Sequence, residues 1–456
     1  MAPFFADTSM AFFLHRYTDM QELRLTGALC LGAEALSIGL AAGLCIGFLR
    51  LICGWTPHLL AELLHAPLPA PLTFLCAGLF IGLCACTAFW CMKKEPLVAG
   101  SGIPQVECTL AGVLPLPWLR VLLCKFLGTL ASLCGCLSLG RAAPSVQMGA
   151  AIGCGVGALW HNEDLRPRFL AGGSAAGLAA AFGAPWAGIV FAFEELRVPA
   201  HAALVLFMTL ASASAWLVTD CLLDLGLIFP LPLSCTTLPS LAELVAHFET
   251  DFLHEEALLL IPLCGLVTGL VCGLHNRCLC ALVLWTDRHV GARTRLACAF
   301  ATGLALLFLF PALIDGLGPT LQDLVLGPES TGLLLALFAG KLLFNWISAA
   351  SNAPGGLLMP LLTAGGLCGV CMGALLELAH WTVPGSLPVI FCMAGFFAGI
   401  VRAPVTAALL VAECTGTWAG LPALLATSFL ARLVAGKTGA LPVFTFFRLR
   451  LTGRLH

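Results

Sequence analysis

The chain has 456 residues, of which 60% are hydrophobic and 10% are charged, and its formal net charge is −2. Soluble domains have about 45–50% apolar and about 25% charged residues, so the composition indicates an all-α integral membrane protein. The near-neutral charge excludes a basic surface for nucleic acid, and no nucleic-acid partner is expected.

The first segment, residues 1–25, is polar and contains both acidic and basic side chains. It lacks the basic n-region, apolar core and cleavage site of a signal peptide. We expect a cytosolic or interfacial helix here, followed by a transmembrane domain over residues 26–456.

Apolar runs of different lengths fill the remainder of the chain. Several are too long for one perpendicular span of about 20 residues, and several are interrupted by Gly or Pro, which predicts tilted and re-entrant helices. The runs are 26–55, 71–92, 117–140, 169–196, 203–223, 257–285, 295–314, 331–351, 355–379, 388–413 and 420–436.

Three breaks rich in Gly and Pro interrupt the apolar sequence at 100–104 (GSGIP), 140–144 (GRAAP) and 351–360 (SNAPGGLLMP). Gly and Pro end regular helices and leave backbone N–H groups available. Irregular backbone at membrane depth is tolerated where it lines a cavity, and the N-terminus of a helix attracts negative charge. The breaks therefore predict an anion site at the beginnings of half-helices, although Gly and Pro also occur as kinks and packing residues in transmembrane helices.

The distribution of charge predicts the orientation in the membrane. Residues 240–256 contain five acidic side chains and no Lys or Arg, whereas residues 277–295 and the C-terminal end are basic. By the positive-inside rule, the acidic loop is external and both termini are cytoplasmic. The absence of sorting signals favours the inner membrane of a bacterial cell.

An internal repeat is visible in two pairs of matched Pro spacings. In each pair a Pro is followed at the same distance by the same residue type, and the two copies lie 216 to 219 residues apart. The repeat predicts two related halves, about 26–225 and 255–445, arranged as inverted repeats around an interface that carries the site. The matched segments are 144–153 with 360–369, and 185–194 with 404–413.

Taken together, the motifs resemble those of the CLC chloride channels and transporters. Residues 100–107 (GSGIPQVE) are similar to the family's GSGIPxxE motif, and residues 354–360 (PGGLLMP) to its GGxFxP loop. Residues 183–195 resemble its APLAG…EE helix, and residues 402–413 its RAPLT…E segment. The matches follow the family's order and spacing over about residues 26–450, and they identify the chain as a member.

The resemblance implies a homodimer in which each protomer has its own anion pathway. Because the chain ends soon after the last helix, we expect none of the cytosolic nucleotide-binding (CBS) domains that some family members have. It also implies that chloride is held by a Ser hydroxyl, by backbone N–H groups of the GGxFxP loop and by a Tyr hydroxyl. The residues at the anion-binding positions of this chain are Ser101, Gly102, Ile103, Leu357, Leu358 and Phe444.

Two of these positions depart from the family's pattern. Phe444 replaces the tyrosine and cannot donate a hydrogen bond, and the only tyrosine of the chain is Tyr17. At the gate position, where the GREGP motif of proton-exchanging members has a glutamate that carries the proton, this chain has Ala142, followed by Ala143 in place of Gly. Ala142 cannot titrate, so we expect passive transport of chloride or similar small anions, uncoupled from protons.

The remaining acids match family positions as well. Glu195 corresponds to the inner proton-transfer glutamate, and its other interpretation is a helix-end acid paired with Arg197. Glu107, Glu194 and Glu413 correspond to structural acids. Because acids within a membrane are often functional, Glu107 and Glu413 are also weighed as replacement gates.

Three cations have two possible roles. Lys125, Lys341 and Arg141 either add positive potential to the pathway or form salt bridges with the acids named above.

Two alternatives to passive transport stay open. One is a proton-coupled chloride antiporter that uses another acid. The other is a membrane-embedded enzyme, which is disfavoured because the sequence shows no nucleophile–base pair. The spacing of Cys368 and Cys371 is CxxC, but no second pair or His cluster accompanies it, so neither a metal site nor any cofactor besides the chloride ligand is expected.

Overall fold

A computed structural model describes residues 25–162, 165–228, 255–317, 321–327, 329–381, 383 and 386–454. The predicted N-terminal helix and most of the acidic loop at 240–256 lie outside the described residues. The regular structure of the described residues is almost entirely helical. In chain order, the α-helices are α1 Leu25–His65, α2 Ala70–Lys94, α3 Ile103–Leu110, α4 Trp118–Cys134, α5 Ala142–Leu159, α6 Arg166–Phe182, α7 Pro185–Glu194, α8 Ala202–Ile228, α9 Glu255–His289, α10 Ala292–Leu309, α11 Leu321–Leu326, α12 Thr331–Ala350, α13 Leu358–Leu378, α14 Ser386–Val401, α15 Pro404–Thr415, α16 Leu421–Lys437 and α17 Val443–Leu451.

Among the described residues, nine helices are long and apolar enough to cross a membrane. The longest, α1 and α9, have 41 and 35 residues. At 1.5 Å per residue they are far longer than the hydrocarbon core of about 30 Å, so they must tilt, bend or extend beyond it. The shorter α14 and α15 are also apolar. The multi-pass, all-helical architecture expected from the composition is confirmed.

Several expected apolar runs differ from the helices that form. The run 169–196 is divided into α6 and α7 at Gly183, whose φ of 71° ends α6. The run 388–413 is divided into α14 and α15 at Arg402, whose φ is 78°. Helix α5 corresponds to none of the expected runs, because its many Gly and Ala residues make the segment only weakly hydrophobic. Those small residues suit a helix that is buried within the protein rather than exposed to lipid.

Reciprocal hydrogen bonds join the two repeat halves. The carboxylate of Glu194, at the end of α7, accepts from two backbone N–H groups at the beginning of α15, at 3.2 and 2.7 Å. The carboxylate of Glu413, at the end of α15, accepts from two backbone N–H groups at the beginning of α7, at 3.0 and 2.7 Å. Each acid thus caps the other repeat's helix, which supports the structural role expected for both and leaves Glu413 engaged as a cap rather than a gate.

The glycines of the matched segments 144–153 and 360–369 lie where helices touch. A Cβ atom on Gly149 of α5 would lie 2.0 Å from the carbonyl oxygen of Gly173 on α6. A Cβ atom on Gly369 of α13 would lie 2.4 Å from the Cα of Val389 on α14. Both helix pairs therefore pack backbone against backbone, which requires glycine at these positions in both halves.

Candidate functional site

The three Gly- and Pro-rich breaks meet in space. Gly140 and Gly356 exchange two backbone N–H···O=C bonds of 2.6 and 2.7 Å, which is an isolated antiparallel bridge between equivalent positions of the two repeats. The N–H of Gly100 donates to the carbonyl of Asn352 at 2.9 Å, and the N–H of Gly355 donates to the carbonyl of Gly100 at 3.1 Å. The sequence-based expectation that these breaks form one site is consistent with this arrangement.

Two cavities lie against the junction of the breaks. The first, called here the Arg141 cavity, has a volume of about 100 Å³. The second, called here the Ser101 cavity, has a volume of about 310 Å³. Leu139 borders both, so the junction separates them. Residues that contribute to the walls include Gly140, Arg141, Asp315 and Met359 for the Arg141 cavity, and Ser101, Asn352, Leu357 and Arg450 for the Ser101 cavity.

The expected anion-binding residues are only partly brought together on a cavity wall. Ser101 and Leu357 both line the Ser101 cavity. Ile103 and Leu358 are the first residues of α3 and α13 and are completely buried. Phe444 is also completely buried, near the beginning of α17, but lines neither cavity, so its contact with an anion stays a prediction.

The gate position contains only a methyl group. Ala142 is the first residue of α5, directly follows Arg141 on the wall of the Arg141 cavity, and is completely buried. The next residue, Ala143, packs against the other repeat: a Cβ atom on Gly356 would lie 2.6 Å from the Cβ of Ala143. The carboxyl group on the wall of the Arg141 cavity belongs to Asp315 and not to the gate position.

Lys125 is buried completely, and its ammonium group holds the Ser101 loop. Its Nζ donates to the carbonyl oxygens of Val98 at 3.0 Å and Gly100 at 2.7 Å. The alternative in which Lys125 forms a salt bridge with one of the named acids is therefore wrong, and its positive potential acts one residue away from Ser101. Lys341 is paired instead with Asp315 at 2.6 Å, beside the Arg141 cavity.

Two buried glutamines hold the same loop and were missed by the sequence analysis. Gln105 Nε2 donates to the carbonyl of Ala99 at 2.8 Å, and Gln147 Nε2 donates to the carbonyl of Leu97 at 2.9 Å. Gly102 has a φ of 96°, and a Cβ atom there would lie 2.4 Å from the Oε1 of Gln147. The signal that could have found them is a polar amide within an otherwise apolar helix.

Two acids meet on the side of the Ser101 cavity where α17 lies. Glu107 forms an ion pair with Arg448 at 3.1 Å. Glu195 is buried beside Glu107, with Arg197 as a further neighbouring cation. The expected pairing of Glu195 with Arg197 alone is thus incomplete, because the carboxyl group of Glu107 is a neighbour as well.

A match between the sequence and a protein-family model identifies the family. Residues 81–436 match the family model of the voltage gated chloride channel, which is more than half of the chain. The chain belongs to the voltage-gated chloride channel (CLC) family. This membership makes the protein a multi-pass membrane protein for anion transport rather than an enzyme.

Curated relatives in the CLC family support the same assignment. The H(+)/Cl(-) exchange transporter ClcA of Vibrio cholerae serotype O1 (strain M66-2) is 32% identical over 365 residues, which are 77% of this chain and 74% of the relative. The protein with the same name from Cronobacter sakazakii (strain ATCC BAA-894) is 31% identical over 421 residues, which are 89% of this chain and 86% of the relative.

Solved structures of CLC proteins have the same fold. A slow cyanobacterial Cl−/H+ antiporter superimposes with a TM-score of 0.81 and 27% identity, over 93% of this chain and 98% of that one. A eukaryotic CLC transporter superimposes with a TM-score of 0.76 and 22% identity, over 93% of this chain and 75% of that one, and at this identity shows the fold alone. The CLC fold expected from the motifs is therefore confirmed.

Proposed function

We propose that this CLC protein lets chloride or similar small anions cross the membrane passively, without moving protons. The observation that carries the proposal is Ala142. A proton-exchanging mechanism of the family type needs an acid at this position to bind and release the proton. The methyl group of Ala142 cannot titrate, and the residue is completely buried directly behind the wall of the Arg141 cavity.

Chloride is the ligand of the site, and no other cofactor takes part. It is held by the hydroxyl of Ser101 and by backbone N–H groups at the beginnings of α3 and α13, which also present the positive ends of their helix dipoles. Support comes from the shared cavity wall of Ser101 and Leu357. The amide positions are Gly102, Ile103, Leu357 and Leu358. Phe444 lacks the hydroxyl of the family's tyrosine, which weakens binding by on the order of 1 kcal/mol.

A proton-coupled exchanger is the second candidate function, and two observations favour it. The ClcA relatives and the cyanobacterial protein are named as exchangers. In addition, the carboxyl groups of Glu195 and Glu107 are neighbours, and two like charges at close range favour a proton on one of them. Coupling would still require a second proton acceptor on the far side of the anion, where Ala142 offers none.

Parallel measurement of chloride and proton flux in liposomes distinguishes the two functions. With a chloride gradient, no proton gradient and a potassium ionophore to dissipate charge, passive transport moves chloride while the external pH stays constant. A proton ionophore added at the end sets the scale of a full pH change. Proton movement driven by the chloride gradient would contradict passive transport and establish the exchanger.

The matched variant for this experiment is Glu195→Gln, which removes one of the two neighbouring carboxyl groups. In a passive protein, the variant and the unchanged chain both move chloride without protons. In an exchanger, the unchanged chain moves protons and the variant loses that movement.

The functional assembly is a homodimer with one pathway in each protomer, embedded in a bacterial inner membrane with both termini in the cytoplasm. The bacterial relatives and the basic residues within 277–295 support this placement. Cross-linking in native membranes should yield a dimer. A predominantly monomeric or trimeric product would contradict it.

A further inference from the structure

Three charged side chains from separate helices meet at the rim of the Ser101 cavity. Arg450, in the last turn of α17, lines the cavity. Its Nε and Nη2 donate to the two carboxylate oxygens of Asp287, near the end of α9, at 2.6 and 2.7 Å. Arg295, near the beginning of α10, donates to the same carboxylate. We call these three residues the rim cluster.

The rim cluster carries a net charge of one positive unit. It contains two guanidinium groups and one carboxylate, so Asp287 neutralises only half of the positive charge that it contacts. The side chains of Arg450 and Asp287 are 23% and 26% exposed, so the cluster is in contact with water as well as with the cavity. The nearby Arg448 does not add to this charge, because Glu107 is its own partner.

Arg450 is also joined to the anion site itself. Its Nη1 donates to the side-chain oxygen of Asn352 at 2.9 Å. The backbone carbonyl of Asn352 accepts from the N–H of Gly100, the residue before Ser101. An anion in the Ser101 cavity therefore has Arg450 on one wall and Ser101 on another.

We propose that the rim cluster sets the rate at which anions reach Ser101 from solution, and that Asp287 limits this rate by neutralising part of the positive charge. A charged wall raises the local concentration of the oppositely charged ion and thereby its rate of arrival. A single charge a few ångströms from the path in hydrated surroundings changes that concentration by about threefold.

The inference rests on anion transport alone and is independent of whether protons are coupled. Its readout is chloride uptake, whereas the proposed passive mechanism is tested by proton movement. Either statement can therefore fail without the other.

The test measures initial chloride uptake into liposomes at chloride concentrations well below half-saturation. Asp287→Asn should raise uptake by about threefold, because it adds one unit of positive charge, and Arg450→Gln should lower it by about threefold. The double variant carries the original net charge and should return close to the uptake of the unchanged chain. At saturating chloride, all variants should converge because arrival no longer limits transport.

Two further variants separate charge from structural support. Arg295→Gln removes the same charge without touching Asn352 or the cavity wall, so it should also lower uptake, though less than Arg450→Gln. Arg450→Lys keeps the charge but loses the two-pronged contact with Asp287, and should retain most of the uptake. If Arg450 served only to hold Asn352, uptake would fall in Arg450→Lys and stay unchanged in Arg295→Gln, which would overturn the proposal.

Varying the ionic strength distinguishes an electrostatic role of the rim cluster from a purely structural one. Raising it with an impermeant salt at constant chloride shortens the screening length from about 10 Å at 0.1 M to about 3 Å at 1 M. The differences between the variants should shrink accordingly. Differences that persist at high ionic strength, or a fall in uptake for both Asp287→Asn and Arg450→Gln, would refute an electrostatic role.

Discussion

Replacing Lys125 with methionine should weaken anion binding strongly. The side chain is completely buried, and its ammonium donates to the carbonyl of Gly100 at 2.7 Å. Successive Cα atoms are about 3.8 Å apart, so an anion at Ser101 would lie about 7 Å from the ammonium. With an effective dielectric constant of about 20, the attraction at that distance is about 2.4 kcal/mol. Loss of this attraction should lower the chloride affinity by roughly 50-fold.

The assay is calorimetric titration of the purified protein with chloride, with liposome flux as a second measurement. The matched control is Lys341→Met, because Lys341 is also buried but is paired with Asp315 beside the other cavity. Lys341→Met should lower the thermal stability without a comparable loss of affinity. If the chloride affinity of Lys125→Met stayed within twofold of the unchanged chain, or fell no further than that of Lys341→Met, the electrostatic reasoning would be refuted.

Three further changes test other parts of the site. Ala142→Glu should slow chloride flux and make it pH-dependent, because a carboxylate competes with chloride when ionised and leaves when protonated; equal flux at pH 4.5 and pH 7.5 would contradict this. Phe444→Tyr should tighten chloride binding about fivefold through a new O–H donor, measured by calorimetry, and an unchanged affinity would place Phe444 away from the anion. Glu413→Gln should lower the unfolding free energy by about 1–2 kcal/mol, since one capping bond to α7 is lost and the other weakened, while chloride affinity stays the same. The equivalent Glu194→Gln should behave alike, and a stability change in only one of them would argue against reciprocal capping.

The breaks in the apolar sequence predicted where half-helices begin, because Gly and Pro constrain the backbone locally. Gly102 illustrates this: its positive φ and its contact with Gln147 both require the absence of a side chain. The resemblance to the CLC family then predicted that Ser101 binds the anion. These conclusions depend on residues that are close together in the chain.

The partners of charged residues did not follow from the sequence. Lys125 was weighed as a salt-bridge partner of an acid, but it binds carbonyl oxygens 25 and 27 residues away. Arg450 and Asp287 are separated by 163 residues, and nothing in the neighbouring sequence of either indicates that they meet. A long flexible side chain can reach several partners, and only the packing of helices selects one.

By itself, the sequence determined that this is a multi-pass helical protein of the CLC family with Ala142 and Phe444 at two key positions, because composition and short motifs are local properties. Only the tertiary structure decided that the bridge between Gly140 and Gly356 joins the repeats, that two cavities flank it, and that the rim cluster borders one of them. These features arise where segments distant in the chain pack together, and the free energy of that packing is not carried by any one segment.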